Sequence, residues 1–407
     1  MAEVLLAPAG ASTLEDACAR AAERARARPF DGIAVDFVAT LSSRLLADPE
    51  LRALPDLVAF AYWMRRSRLE ELRRRFESTM GGDVAAARGL VLHYAPSNVD
   101  TIFAYSWLLS VLAGNANVVR LSQRRDRTAE VLLGALREVL ASPTFEAVRE
   151  RTVFVSFEHD RATNARLGAA CDLRVIWGGD GAIRAIREAP LRPWATDVVF
   201  PDRFSMAVFD AATIVAMDAA SWDTFLRDFA NDVFVYGQMA CSSPRHIAWV
   251  GPAEICEKAR LAFWERFRAV ADARPADEWA QPVSGRLTAA CRAAMRGARA
   301  DLGLATPLTV ARVERLTEEL REMHPGGGFF FEADYATLDD LRPDVVSKDQ
   351  TLVALGFSRD ALAAFAAALP RGGADRIVPV GRALEFSHVW DGQDLLQTFT
   401  RRVVVTV

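Results

Sequence analysis

Cys241 is the residue best suited to covalent chemistry. It sits in the run Gly237-Gln238-Met239-Ala240-Cys241-Ser242-Ser243-Pro244-Arg245. An apolar, aromatic helical pattern over 222–236 precedes it, and a β-type run, His246-Ile247-Ala248-Trp249-Val250, follows. Gly237 permits backbone angles that other residues avoid, and Pro244 stops any helix that reaches it. Ala240, Ser242 and Ser243 are small and leave a flat substrate room to approach the sulfur. A thiolate attacks thioesters and aldehydes readily. The competing account is a plain core cysteine, since free Cys is among the most buried residue types.

Other stretches carry groups that such chemistry could use. Pro96-Ser97-Asn98 turns the chain after a strand-like run over 89–95. The Asn98 amide can cap the apolar helix expected over 99–113 or enter a site at the strand end. Arg120 lies in a second strand pattern, 117–121, and Ser122, Arg124, Arg125 and Arg127 follow it. The guanidinium fork suits a 2′-phosphate; a solvated basic loop is the alternative. Gly178-Gly179-Asp180-Gly181 opens a helix expected over 182–188, where free N–H groups suit a phosphate. Alone, those four residues would be a turn. His388, beside Trp390, could pass a proton to a nascent oxygen or pack as a structural imidazole.

The elements that must position these groups alternate. Strand patterns at 89–95, 117–121, 152–157 and 173–177 are separated by helical patterns at 128–141 and 161–169. That alternation predicts a parallel sheet covered on both faces, with nucleotides held where strand ends meet helix starts. The run 197–209 reads as a strand closing this half. A second α/β region follows Cys241: strand 246–250, helices 252–270 and 284–300, strand 308–313, a Gly326-Gly327-Gly328 turn, and strands 375–380 and 402–407. Residues 51–78 form an amphipathic helical stretch whose arginines interleave with Glu70, Glu71 and Glu77 on a solvated face.

Composition excludes several classes. The 407 residues are 51% hydrophobic and 25% charged with net charge -4, which argues against a nucleic-acid partner. Cys18, Cys171, Cys241, Cys256 and Cys291 are odd in number and widely spaced, which suits reduced thiols in the cytoplasm and neither a disulfide frame nor a metal site. No run approaches the ~18 apolar residues of a membrane span. The start, Met1-Ala2-Glu3-Val4, lacks a basic n-region and is read as carrying no signal peptide.

The Cys241 run resembles the Gly-Gln-x-Cys-x-x-Pro nucleophile loop of the aldehyde dehydrogenase superfamily. Its Cys-Ser-Ser-Pro-Arg form is similar to the LuxC-type fatty acyl-CoA reductase branch. Ala95-Pro96-Ser97-Asn98-Val99 sits where the superfamily has Pro-Trp-Asn-x-Pro, and 113–122 resembles its Gly-Asn-x-Val-Val-x-Lys-x-Ser segment with Arg120 for the lysine. The resemblance runs from about residue 50 to the C-terminus, strongest at 93–122, 232–250 and 375–395. It implies two parallel-sheet α/β domains, cofactor and catalytic, with the active site between them. The implied divisions are a helical segment 1–85, a cofactor domain 86–235, a catalytic domain 236–384 and a returning segment 385–407.

The resemblance also implies roles. Cys241 would be the nucleophile, Asn98 and the Cys241 N–H an oxyanion hole, and His388 a proton donor. Arg120, Ser122, Arg124, Arg125, Gly178 and Gly179 would bind the cofactor, NADPH in preference to NADH. Hydrolytic relatives carry a Glu-Leu-Gly-Gly-Lys segment whose Glu activates water. The matching stretch, 197–205, has no Glu; Val198 or Val199 falls there, with Asp202 as a substitute base. The expected reaction is therefore reduction of an acyl-CoA or acyl-carrier thioester to an aldehyde, with room for an acyl-transferring partner protein and a homo-oligomer. An aldehyde dehydrogenase yielding free acid and a non-catalytic partner subunit are the alternatives.

Overall fold

The computed structural model describes residues 2–24, 26–51, 54–96, 101–123, 125, 127–158, 160–275, 282–301 and 307–406. The chain divides into two units, 1–202 with 386–407, and 203–385.

In the first unit the strands are β1 (Glu3–Leu6), β2 (Val84–Ala87), β3 (Leu90–Tyr94), β4 (Ala116–Leu121), β5 (Thr152–Ser156), β6 (Leu173–Trp177) and β7 (Thr196–Phe200). Among the described residues six of them form a sheet in the order β1-β5-β4-β3-β6-β7. β1 is antiparallel to β5, and the other pairs are parallel. Leu90-Val91-Leu92-His93-Tyr94 is buried at every position, the pattern of a strand covered on both faces. The helix Ile102–Leu112 is likewise buried all round. Helix Arg127–Leu140 instead buries Leu132, Leu133, Leu136 and Leu140, an amphipathic stripe at helical spacing.

The second unit contains β8 (Phe204–Asp210), β9 (His246–Val250), β10 (Arg299–Asp301), β11 (Thr309–Arg312), β12 (Phe329–Tyr335), β13 (Asp349–Leu355) and β14 (Arg376–Pro379), ordered β10-β11-β12-β9-β8-β13-β14. Here too one edge strand, β10, is antiparallel. Alternation along β8 builds two cores. Ala207 and Phe209 join Phe229, Trp249, Phe263 and Phe267 on one face; Phe204, Met206 and Val208 join Phe329, Phe331 and Leu352 on the other. Each such large side chain contributes ~1.5–3 kcal/mol by leaving water.

The last segment, β15 (Val389–Trp390), β16 (Gln393–Asp394) and β17 (Thr400–Val403), belongs to the first unit, where β17 pairs antiparallel with β2. Several local expectations are corrected. The run 197–209 is two strands. Pro201 has no N–H to donate, β7 ends at Phe200, and β8 starts a different sheet. The contacts therefore change unit at 202/203, whereas the sequence placed the division at 235/236. The helix expected over 284–300 is Val283–Ala294, ended by Gly297 at φ 86 before β10. The last strand ends at Val403 rather than 407. The helical N-terminal region also supplies β1, whose sheet partner β5 lies far along the chain.

Candidate active site

Helix Ala219–Phe234 delivers the chain to the Cys241 loop, with Asp218 capping its start through the Ser221 N–H. Gly237 and Gln238 then take left-handed angles, φ 55 and 60. A buried glutamine tolerates this because its side chain is held at both ends. Nε2 donates to Pro244 O at 2.9 Å, and Oε1 accepts from Gly328 N at 3.1 Å. A Cβ at Gly328 would lie 2.2 Å from Pro307 O, so the triple-glycine turn is not merely a turn. Arg245 crosses beneath the loop and donates to the carbonyls of Gln238 and Met239, each at 3.3 Å.

Cys241 is partly exposed and reduced. Gln350 Nε2 donates to its Sγ at 3.3 Å. Ser205 Oγ donates to the Cys241 carbonyl at 2.6 Å and accepts from Thr351 N at 3.1 Å. Gln350 and Thr351 are the second and third residues of β13; Ser205 is the second of β8; Cys241 precedes β9. The thiol thus sits at the amino ends of three adjacent strands. Asp349 anchors that edge by a two-point ion pair with the Arg321 guanidinium (2.8 and 2.6 Å). Burial pushes the Asp349 carboxyl up, against the pull of Arg321. Nearby imidazoles are neutral: burial drives His246 down to about 3, and holds His324 well below its ordinary value with Arg245 adding to the effect. Among the described residues no group of three His, Cys, Asp or Glu could hold a metal ion.

In the first unit the candidates lie at the carboxyl ends of strands. Arg120, on β4, donates from Nε and Nη2 to Phe157 O at 3.2 and 2.8 Å. Ser122 lies just past β4, and its carbonyl accepts from Arg125 Nη1 at 3.3 Å. Arg125 also pairs with Glu130. Gly178 follows β6 and spends its N–H on Phe200 O at 3.1 Å. Gly179 caps helix Asp180–Arg187 with no side-chain hydrogen bond, and a Cβ at Gly179 or Gly181 would meet nothing within 4 Å. That uncapped, open helix start, one strand removed from Arg120 in the sheet, fits a phosphate-bearing cofactor. Asn98 and Arg124 lie outside the described residues.

His388 is half-buried in the returning segment, and its carbonyl accepts from Leu395 N at 2.8 Å. Burial lowers its pKa, Asp394 opposes this and Arg75 adds to it, so the ring is neutral at pH 7. Trp390 is buried in an aromatic cluster with Tyr105 and Trp177. In the stretch where a water-activating Glu was sought, Asp197 is tied to Arg174 and Arg187, and Asp202 is exposed. Gln350, Ser205 and the Asp349–Arg321 pair were not found in the sequence. The polar run Lys348-Asp349-Gln350-Thr351 opening an apolar strand was the available signal.

A family model described as acyl-CoA reductase (LuxC) matches residues 54–402. Long-chain acyl-protein thioester reductase 2 of Photobacterium leiognathi is 26% identical over 169 residues, which span 41% of this chain and 33% of that protein. The alignment therefore covers about a third of the relative's length. Among solved structures, methylmalonate-semialdehyde dehydrogenase from Oceanimonas doudoroffii aligns with a TM-score of 0.69 at 12% identity, covering 99% of this chain and 94% of that one. A NAD-dependent benzaldehyde dehydrogenase from Corynebacterium glutamicum gives 0.65 at 14%, covering 99% and 92%. PnpE in complex with nicotinamide adenine dinucleotide gives 0.68 at 15%, covering 99% and 93%. The fold is that of the aldehyde dehydrogenases, and since the family match runs through the Cys241 loop, β13 and the returning segment, the chain belongs to the LuxC family of acyl-CoA reductases.

Proposed function

We propose that this chain reduces an acyl thioester to an aldehyde through an acyl-Cys241 intermediate. The observation that carries the reading is the braced, partly exposed Cys241 with an N–H donor on its sulfur. In acylation Sγ bonds to the acyl carbon while the donor's own C–S bond breaks, and the Cys241 proton leaves on the departing thiol. The Cys241 N–H and the Asn98 amide are assigned to the developing oxyanion, each worth ~3 kcal/mol. Release breaks the Cys241 C–S bond, and the freed sulfur takes a new proton from solvent. His388, neutral at pH 7, can offer only a neutral N–H in that step.

The cofactor proposed is NADPH, with NADH the alternative; the NAD named for two of the structural relatives supports a nicotinamide. When bound, the reduced nicotinamide supplies the hydride that converts the acyl group to aldehyde. The helix start at Gly179 would receive its pyrophosphate. Ser122, Arg124 and Arg125 would face the 2′-phosphate, with Arg120 holding the strand-to-loop junction. Asp197 is held by two arginines, and 197–205 has no counterpart of the Glu that activates water in hydrolytic aldehyde dehydrogenases. Exchange with another thiol is thereby favoured over hydrolysis. Acyl-CoA or a carrier-bound acyl group, delivered directly or by an acyl-transferring protein to a cytoplasmic homo-oligomer, completes the proposal.

The test mixes the protein with a long-chain acyl-CoA and no nicotinamide, then weighs the Cys241 peptide. Acyl mass on Cys241 is expected. It should persist in buffer, return to acyl-CoA on adding CoA, and leave as aldehyde on adding NADPH. Absence of acyl mass, or rapid loss to free fatty acid in buffer, would overturn the reading.

A further inference from the structure

We propose that Gln350 is a catalytic residue of this chain: its side-chain amide donates to the Cys241 sulfur, favours the thiolate over the thiol and fixes the direction from which the sulfur attacks. The inference rests on Cys241 being the nucleophile of the proposed reaction.

The geometry has three parts. Gln350 Nε2 lies 3.3 Å from Sγ although the two residues are 109 positions apart. The amide is fully buried and held by its other end, where Oε1 accepts from Thr351 Oγ1 at 3.3 Å. Its strand is held in turn: β13 is paired with β8 and β14, and Asp349 is locked to Arg321 at the residue before. A donor so fixed cannot turn away when the sulfur changes charge, and hydrogen bonding to the charged form favours that form.

Cys241 lies beyond the C-terminus of helix Ala219–Phe234, the end of a helix that repels a negative charge. His246 and His324 are neutral and cannot act as the imidazolium of a Cys–His pair. Three arginines on the elements packed around the loop hold other partners. Arg203 pairs with Asp375, Arg245 donates to loop carbonyls, and Arg321 holds Asp349. An immobile N–H on the sulfur is a contact that can set its reactivity.

The test measures carboxamidomethylation of Cys241 by iodoacetamide from pH 6 to 10 in the full chain, read on the Cys241 peptide by mass. In that reaction the Sγ–carbon bond forms as the carbon–iodine bond breaks, and iodide and the thiol proton leave. Gln350→Met keeps the approximate volume without a donor; Gln350→Glu is isosteric and anionic. The expected midpoint rises by roughly one pH unit in Gln350→Met, so alkylation below the midpoint slows about tenfold. It should rise further in Gln350→Glu, where two negative groups would meet. The exposed Cys291 serves as the internal control and should not change. A wild-type midpoint in the folded variants overturns the proposal. So does failure of both variants to fold, which would make Gln350 a structural residue. The assay contains neither thioester nor nicotinamide. A shifted midpoint in a protein that takes up no acyl group would leave Gln350 setting the thiol's reactivity but would overturn its catalytic role together with the thioester reading.

Discussion

The two units place their chemistry at opposite ends of similar sheets. In the first, Arg120, Ser122, Gly178 and Gly179 gather at the carboxyl ends of β4 and β6, the edge where parallel sheets ordinarily bind nucleotides. In the second, Cys241 stands at the amino ends of β8, β9 and β13. The two edges offer different things. A carboxyl edge runs into helix starts, whose free N–H groups are already an anion site. An amino edge receives chain from helix C-termini and offers no such groups, so the reactive atom must be held by side chains. The hydrogen bonds follow that logic. Cys241 is braced by Gln350, Ser205 and an ion-paired strand, whereas the helix start at the carboxyl edge is left uncapped by any side chain.

The sharpest break of the comparison is at the proposed nucleophile. Cys241→Ser should cut aldehyde formation at least about a thousandfold, because an alkoxide is inaccessible at neutral pH. Its melting temperature should stay close to wild type, since a hydroxyl can still accept from Gln350. Retained turnover would remove Cys241 from the mechanism and leave the amino edge without a function.

The brace itself comes next. Arg321 and Asp349 are 1% and 0% exposed, so Asp349→Ala leaves a buried guanidinium without its counter-ion. Such a change costs about 3–5 kcal/mol. Denaturant unfolding should show that loss, and at denaturant concentrations where the variant is still folded the Cys241 alkylation rate should change as well. A large stability loss with unchanged Cys241 reactivity would mean that β13 supports the fold without positioning the thiol.

Acid should separate the units. His93 in the first unit is fully buried, hydrogen-bonded to Ser106 and Asn117, and burial pushes it down to about 4. The unfolded chain takes up that proton near 6.5, so stability is full above 6.5 and falls as pH drops towards 4, by about 3 kcal/mol. His388 acts in the same sense. The second unit has His246 and His324 with the same sign, but burial also raises Asp232 to about 7 and raises Glu332 and Asp349. For Asp232 the folded state holds a proton that the unfolded chain loses between about pH 4 and 7, so acidification through that range stabilises and opposes the two imidazoles. Hydrogen exchange corrected for intrinsic rates should therefore lose more protection in β3–β6 than in β8, β9 and β13 between pH 6.5 and 4.5. Equal losses would show that the balance in the second unit is not as drawn.

The carboxyl edge was far more legible in the sequence than the amino edge. β3, β4, β5 and β6 are short buried apolar runs with turn residues between them, whereas at the amino edge the local signature is confined to the loop through Gly237, Cys241 and Pro244. Gln350 could not be found the same way. Its contact depends on the register of β13 against β8, Thr351 opposite Ser205, which no local pattern encodes. The change of unit at 202/203 did have a local signal in Pro201, which a single strand over 197–209 should not contain.

The smallest effect is expected at the arginines of the first unit. The Arg125–Glu130 pair is half in solvent on the glutamate side, and surface pairs contribute about 0–1 kcal/mol. Arg125→Ala should accordingly leave the melting temperature nearly unchanged, in contrast to Asp349→Ala. If Arg125 exchanges Glu130 for the 2′-phosphate, the same variant should raise KM for NADPH about tenfold and leave KM for NADH alone, since a charge-assisted hydrogen bond is worth ~1.5–3 kcal/mol. Arg120→Ala behaves differently on this account. Its Nε and Nη2 both donate to the Phe157 carbonyl, so its loss should loosen the end of β5 and weaken both cofactors alike. Reversed results, with Arg120 discriminating between the cofactors and Arg125 indifferent, would move the phosphate contact onto the strand and make the carboxyl edge a side-chain site like the amino edge.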